Sequence, residues 1–350
     1  MQALKYHGPW MASIDTTPDL QCMEADDIIV SIKFCGICGT DIGILTGEYD
    51  VARQGVTLGH EAAGIVESVG PSVRNFSEGD RVVINPTYAC RQCRPCYTGN
   101  ENHCSQKEGT EAGVSYDGAF ATKYRAKGQF LRKLDDHVSF EEAALTEPLS
   151  CTITGVDKLN IRNNAIRAVV IGAGPMGILY SWSLYNNGVN VVMIENNAHR
   201  QQYARKILPG SAHLFFDFCE AMKVLYGKDD QKVDVVVDTS GALTEIVLPY
   251  LSAGGKLLTV ALKKFYANIS TMEIADKSLS IIGSIDSLNN SFERAYCTIR
   301  DRRIPAERMI SHIFPLNDFK SAFAVLGCDL KHGKLTPPSE PNCKILLEIA

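Results

Sequence analysis

The sequence predicts an α/β protein of two domains: a doubly wound parallel sheet in the middle of the chain, and a mainly β domain built from its two ends. Three observations carry this. Residues 165 to 285 alternate short apolar runs with segments long enough for helices, the pattern of a parallel sheet with crossover helices. Within that region, Val169-Val-Ile-Gly-Ala-Gly-Pro-Met-Gly177 reads as a buried strand running into a Gly-x-Gly-x-x-Gly turn and a helix. The first part of the chain instead shows short strands separated by Gly, Pro and polar corners. A length of 350 residues is enough for two domains with cores of their own.

The glycine turn organises the rest. Gly172 allows the tight turn, Gly174 lets a pyrophosphate approach the backbone, and Gly177 lets helix and strand pack closely. The helix stops at Asn186-Asn187-Gly188. A second strand from Val189 to Ile194 ends at Glu195, 23 positions after Gly172, where an acid accepts both adenosine-ribose hydroxyls. An ordinary turn can share the glycine pattern, but strand, turn, helix, strand and acid in this order favour a Rossmann dinucleotide site. Its expected lining is Gly172, Gly174, Pro175, Met176, Gly177 and Glu195, with Ser240, Val260 and Ser284 near the ends of later strands. A carboxylate at 195 repels the extra phosphate of NADP, and Asn196 and Asn197 carry no positive charge, so NAD is the expected cofactor.

From the start of the chain, strands are expected at 2–6 and 27–34, with turns marked by Pro9 and Pro18 between them. Cys35-Gly-Ile-Cys-Gly-Thr-Asp41 follows, then a loop containing Gly43, Gly47 and Gly55. Leu58-Gly-His-Glu leads into a strand as far as Gly70, and Gly79-Asp80 turns into a strand at Arg81–Ile84. Residues 85 to 117 lack periodicity, and a connection of that length needs a function or an internal staple. A strand through Tyr124 and a helix from Phe140 come next, with Pro148 marking a kink or a restart. The parallel sheet takes strands at 168–172, 189–195, 212–216, 233–238, 256–260 and 279–283. Helices near 290–300 and 317–326 precede a last strand, Lys344 to Ile349, which needs a sheet to pair with and is expected to rejoin the first domain. The expected boundaries are 1–151 with 287–350 for the β-rich domain, 152–286 for the Rossmann domain, and 85–110 for a lobe within the former.

Composition narrows the function classes. A net charge of -5, from 35 basic and 40 acidic residues, gives no basic footprint for nucleic acid. No run of 18 apolar residues offers a membrane span, and the first residues lack the apolar core of a signal peptide, so a cytoplasmic location is expected. Twelve cysteines are too few for a disulfide-stapled scaffold in a chain this long.

Four of those cysteines, Cys90-x2-Cys93-x2-Cys96-x7-Cys104, have metal-ligand spacing, and four thiolates from one loop wrap a zinc ion tetrahedrally with no open position, which makes the ion structural. An iron–sulfur centre is the sharper competitor, although its usual spacing places the fourth cysteine closer and follows it with proline. A second, catalytic zinc needs about three protein ligands and one open position. Cys38, between glycines after a strand, and His60, in Gly-His-Glu at a strand entry, are the candidates.

Taken together, Cys35-Gly-Ile-Cys-Gly-Thr-Asp41, Gly59-His-Glu-Ala-Ala-Gly64, the four-cysteine lobe, Glu147-Pro-Leu and the Gly172 turn resemble the zinc-dependent medium-chain alcohol and polyol dehydrogenases, in the family's order and over essentially the whole chain. The resemblance implies that the β-rich part is a GroES-like catalytic domain. It implies that Cys38 and His60 are zinc ligands, that Glu61 is the acid that ligates the metal or stands beside it, and that Glu147 is a further ligand of that zinc, standing where classical alcohol dehydrogenases carry a third cysteine-type ligand and matching the glutamate of the sorbitol and glucose dehydrogenase branch. By the same resemblance Asp41 orients His60, Thr40 relays the substrate's proton, and Arg200 lies over the adenine side of the cofactor. The histidine that carries the proton outward in many relatives is replaced here by Ile42, Gly43 and Ile44.

The implied reaction is hydride transfer from a secondary alcohol of a polyol or sugar to NAD, with one catalytic and one structural zinc. Glu48, Tyr49, Ser284, Asp286 and Asn289 are plausible pocket groups for a hydroxyl-rich substrate. A threonine or aldose dehydrogenase is the alternative enzyme, and a nucleotide-holding protein without turnover is the alternative of another class. A homodimer or homotetramer joined through an apolar sheet edge at 256–286 is the family expectation.

Overall fold

The computed structural model describes residues 1–87, 89–106, 112–163, 165–227, 231–262 and 266–349. The far end of the expected lobe, 107–110, lies outside these, as does residue 88. The chain divides into two compact units: Met1–Ser150, Asp286–Pro337 and Lys344–Ala350 form the first, and Cys151–Ile285 with Pro338–Cys343 form the second. The short excursion at 338–343 was not foreseen; the sequence reading had kept everything after 287 in one domain.

The first unit opens with a hairpin of β1 (Gln2–Gly8) and β2 (Met11–Thr16), which turns through Trp10 at a φ of 64°. Pro9 does mark that turn, but the second strand was missed because its alternation is weak and no residue of it is fully buried. Then come β3 (Asp27–Gly36), helix α1 (Gly39–Thr46), β4 (Glu61–Val69), β5 (Arg81–Ile84), the short helix α2 (Arg94–Tyr97), β6 (Lys123–Lys127) and β7 (Leu131–Lys133). Residues 39–46, expected as loop, are helical. Asp41 caps the helix by accepting from the Cys38 backbone N–H at 2.9 Å, and Gly47, at a φ of 77°, ends it.

Helix α3 (Phe140–Ala143) stops, and α4 (Thr146–Leu159) restarts with Pro148 in its first turn, where no helical N–H is needed. The second unit runs β8 (Ala168–Ile171), α5 (Pro175–Asn186), β9 (Val191–Ile194), α6 (Ala198–Ile207), β10 (His213–Phe215), β11 (Val233–Asp238), β12 (Leu251–Thr259) and β13 (Ser280–Gly283). The chain then returns through a helix at Ser291–Arg300, β14 (Ile310–Pro315), a helix at Phe319–Val325, a small hairpin of β15 (Cys328–Asp329) and β16 (Lys334–Leu335), and β17 (Lys344–Glu348).

Among the described residues the first unit holds a seven-stranded sheet of order β14-β17-β3-β4-β5-β7, with β6 pairing β3 beside it. The last strand does rejoin this sheet, running antiparallel to β3 with Leu346 opposite Gly36. On its other side β3 places Gly36 opposite Glu61. The apolar faces of β3, β4, β5 and β17 close over one core with Phe120, Phe319 and Phe323. The second unit holds a six-stranded parallel sheet of order β10-β9-β8-β11-β12-β13, the doubly wound arrangement with its switch of direction between β8 and β11. Val169, Ile171, Val236, Val247 and Leu257 are among its fully buried core residues.

Candidate active site

Two strand ends build the site in the first unit. Cys38 lies just past the end of β3 as the N-cap of α1, and His60 and Glu61 stand at the entry to β4. Because β3 and β4 are antiparallel neighbours, the end of one adjoins the start of the other. The ligand atoms of Cys38, His60 and Glu61 all lie within 4.8 Å of one another. A buried carboxylate, Asp41, ties the two loops: Oδ2 accepts from the Cys38 N–H at 2.9 Å and Oδ1 from the Gly59 N–H at 3.3 Å. Both bonds run to the backbones of the two ligand loops, at Cys38 itself and at Gly59 beside His60. Thr40 Oγ1 is 3.5 Å from Cys38 Sγ.

Glu61 is 1 % exposed and its Oε2 accepts from the Lys344 ammonium, which is 2 % exposed and also donates to the Ile37 carbonyl at 3.0 Å. Glu61 Oε1 is buried with no hydrogen-bond partner among the described residues. An orphaned carboxylate oxygen beside a thiol and an imidazole is the donor set that zinc takes, so the residues present fit a metal ion. Glu147, buried in the first turn of α4, is not a member of the three-residue group. It does reach Lys344 electrostatically. Burial alone would push the Lys344 ammonium down, but Glu61, Cys38 and Glu147 outweigh it and hold the pKa above its ordinary value. Burial pushes the Cys38 thiol up against the opposing pull of His60, and it likewise raises the Asp41 carboxyl.

Sequence reasoning missed Lys344. The available signal was a lysine opening an apolar strand, Lys344-Ile-Leu-Leu, where a buried charge needs a partner. Of the expected pocket groups, Asp286 and Asn289 have positive φ, 59° and 52°, and Asp286 is buried.

The four-cysteine lobe also converges, with Cys90, Cys93, Cys96 and Cys104 offering sulfurs within 4.8 Å of one another. Sulfur separations of 3.4 Å for Cys93–Cys96 and 3.9 Å for Cys93–Cys104 bracket the ~3.8 Å edge of a zinc–thiolate tetrahedron. Backbone N–H groups aim at the sulfurs: Cys90 N to Cys104 at 3.2 Å, and Gln92, Ser105 and Gln106 N to Cys90, Cys93 and Cys104, each at 3.4 Å. Such donors favour thiolate. The N–H groups of Cys96 and Ser105 bring Cys93 down to about 6, while burial and the neighbouring Cys93 push Cys96 up to about 12.

In the second unit the expected cofactor residues line one edge. Gly172 follows β8, Glu195 follows β9, Ser240 stands two residues after β11, Val260 follows β12 and Ser284 follows β13: the carboxyl ends of five parallel strands. Gly172 has a φ of 95°, and a Cβ on Gly177 would meet the Gly172 carbonyl oxygen at 1.8 Å, so both positions require glycine. Gly174 caps α5, with Pro175 and Met176 as its first residues. The Glu195 carboxylate accepts from the Ala173 N–H and the Asn197 N–H, both at 2.8 Å, which pins it against the glycine turn. Arg200 sits in the first turn of α6, its N–H donating to the Asn197 cap at 3.0 Å. Asp238 holds Ser240 through its N–H at 2.9 Å and its hydroxyl at 2.8 Å.

Comparison with known proteins places these two arrangements. Residues 24–136 match the family model of the alcohol dehydrogenase GroES-like domain. D-arabinitol dehydrogenase 1 of Uromyces fabae is 30% identical over 333 residues, covering 92% of this chain and 93% of that protein. The chain belongs to the zinc-type medium-chain alcohol and polyol dehydrogenase family. As a member of it the protein is an oxidoreductase, with a GroES-like domain and a Rossmann domain. D-altritol 5-dehydrogenase of Agrobacterium fabrum, another relative, is 31% identical over 84% of this chain and 87% of its own. Among solved structures, 2R,3R-butanediol dehydrogenase from Bacillus subtilis shares the fold with a TM-score of 0.82, at 23% identity and covering 99% of each chain. Among the described residues no helix is long and apolar enough to cross a membrane.

Proposed function

We propose that this dehydrogenase oxidises a secondary hydroxyl of a polyol or sugar and passes the hydride to NAD, with a catalytic zinc held by Cys38, His60 and Glu61. The observation that carries the reading is the convergence of ligand atoms of those three residues within 4.8 Å of one another, where Glu61 also keeps a buried, unsatisfied Oε1. Relatives named for D-arabinitol and D-altritol support the polyol class. Zinc bound there supplies a Lewis acid that lowers the pKa of the substrate hydroxyl. The chain's own residues do the rest. Asp41 fixes the backbones of both ligand loops, Thr40 stands beside Cys38 to accept the hydroxyl proton, and Glu147 adds a buried acid beside Lys344. With isoleucine and glycine at 42–44, no histidine at those positions follows Thr40 to carry the proton outward.

Glu195 supports NAD over NADP: its carboxylate is already turned to the glycine turn, and a 2′-phosphate would meet that charge. Gly172, Gly174, Pro175, Met176, Gly177, Arg200, Ser240, Val260 and Ser284 complete the proposed cofactor edge, and the four-cysteine lobe is assigned a structural zinc. The edge strand β13, with Ile281 40% exposed, is the proposed joint of a homodimer or homotetramer. Outside the two clusters Cys22, Cys35, Cys219, Cys297 and Cys328 are thiols rather than disulfides, which suits the reducing cytoplasm proposed here.

Screening polyols, sugars, diols and threonine with NAD and with NADP, while following nicotinamide absorbance and zinc content, tests the whole reading. Polyol turnover with NAD and both metal sites filled is the expected result; dominant NADP turnover removes the role of Glu195. Cys38→Ser should abolish oxidation while leaving NAD binding intact, and retained activity would end the catalytic assignment.

A further inference from the structure

Glu61 and Lys344 form a pair that the reaction as described does not require. Both are almost wholly buried, at 1 % and 2 % exposed. A buried ion pair is a poor way to gain stability, since apolar residues of the same volume do as well or better. The geometry around this one is specific. Lys344 opens β17, and its Nζ is tied to the Ile37 carbonyl at 3.0 Å, one residue before Cys38, as well as to Glu61 Oε2. Oε2 also rests on bare Gly36, where a Cβ would lie 2.1 Å from it. Oε2 is therefore held by a glycine and an ammonium, and Oε1 is left without a partner.

We infer that Lys344 is a positioning residue for the metal site: it holds Glu61 Oε2 so that Oε1 alone is offered to the ion, and it supplies positive charge that the carboxylates and thiolate require around one divalent cation. This rests on the reading of Cys38, His60 and Glu61 as zinc ligands. The charges make the second half concrete. With Asp41 counted beside them, ionised Cys38, Glu61 and Glu147 outweigh a doubly charged ion by two units, and Lys344 offsets one of these. Without it, a substrate hydroxyl at the site would face a more negative surrounding and would ionise at higher pH. Neither Asp41 nor the Ile37 carbonyl can substitute for the lysine: both are acceptors, and Asp41 adds negative charge.

The experiment compares Lys344→Met, Lys344→Arg, Glu61→Gln and the double variant Glu61→Gln with Lys344→Met in the full-length protein. Catalytic-site zinc affinity is measured by chelator competition, with the d–d spectrum of the cobalt-substituted enzyme and the pH profile of kcat as further readouts. Lys344→Met should lose roughly 10- to 100-fold in zinc affinity, the usual effect of removing a group that orients a ligand. It should weaken the cobalt bands as both Glu61 oxygens reach the ion, and move the acid limb of the profile to higher pH. Lys344→Arg should recover most of the affinity and the profile. If the lysine acts through Glu61, the double variant binds zinc no more weakly than Glu61→Gln alone. That variant leaves no unpaired charge buried, so it reports even where Lys344→Met fails to fold.

Zinc affinity within twofold of wild type in Lys344→Met would overturn the inference, as would fully additive losses in the double variant. A wild-type protein that binds only one zinc would instead overturn the catalytic-zinc reading beneath it.

Discussion

Replacing Gly36 with alanine should disable the metal site without substituting any residue that holds the ion. The added Cβ would lie 2.1 Å from Glu61 Oε2 and 3.3 Å from Glu61 Cβ. The second contact is tight but within reach of small strand movements. The first requires the carboxylate to retreat by about 1.3 Å to reach an ordinary contact near 3.4 Å. Gly36 and Glu61 face each other across the β3–β4 ladder, so the backbones cannot part without losing sheet bonds, and the side chain must rotate. Rotation leaves the Lys344 ammonium with the Ile37 carbonyl and without its counter-charge. Breaking a buried pair costs roughly 3–5 kcal/mol when one partner is deleted; with the carboxylate displaced rather than removed, about 3 kcal/mol is expected. For a unit of this size that is a fall of about 6–12 °C in melting temperature. Thermal unfolding and zinc content measure both effects. Gly39→Ala is the control: it neighbours Cys38, yet its Cβ meets nothing within 4 Å, so it should melt like wild type. A Gly36→Ala protein with unchanged melting and a full zinc complement would refute the reasoning.

Asp41→Asn puts an amide donor where one of two backbone N–H groups now finds an oxygen; the expected cost is about 2 kcal/mol, with a lower affinity for catalytic zinc while the four-cysteine lobe keeps its ion. Chelator titration of the two sites separates these. At Asp27, burial opposes ionisation, but Lys127 and the Glu24 and Met23 N–H groups prevail and hold the carboxyl below its ordinary value. A depressed folded pKa means that the charge stabilises the fold above the unfolded value and that this contribution disappears as pH falls through the folded one. Asp27→Asn should therefore lower stability at pH 7 by roughly 1.5–3 kcal/mol, and its melting curve should converge on wild type as pH drops below 3.8. Cys104→Ser should release the lobe's zinc and expose residues 90–104 to protease, with the dinucleotide unit still binding NAD; intact resistance to proteolysis would show that the lobe does not depend on its metal.

The parallel sheet was legible because each strand buried on both faces leaves a continuous apolar run, and Val233-Asp-Val-Val-Val-Asp238 emerges as β11 with the expected limits. Its carboxyl edge was legible for the same reason, since strand ends fix where Gly172, Glu195 and Ser240 fall. What the sequence hid were elements held by tertiary contacts. Helix α1 contains Gly43, a poor helix former, and exists because Asp41 caps it and the C-terminal glycine stops it. Strand β14 was not foreseen at all; it is paired only to β17 and alternates between half-buried and exposed positions, so no apolar stripe announces it. Lys344 was hidden because partners 283 residues apart in sequence leave no local pattern.

The carboxylate that links residue 38 to residue 59 has a consequence for how such an enzyme can diversify. Within the span between them, residues 48–55 are largely exposed, and it is Asp41 that bonds to both metal-binding loops. A new rim grafted between those anchors should alter which alcohols are admitted while the chemistry beneath runs as before.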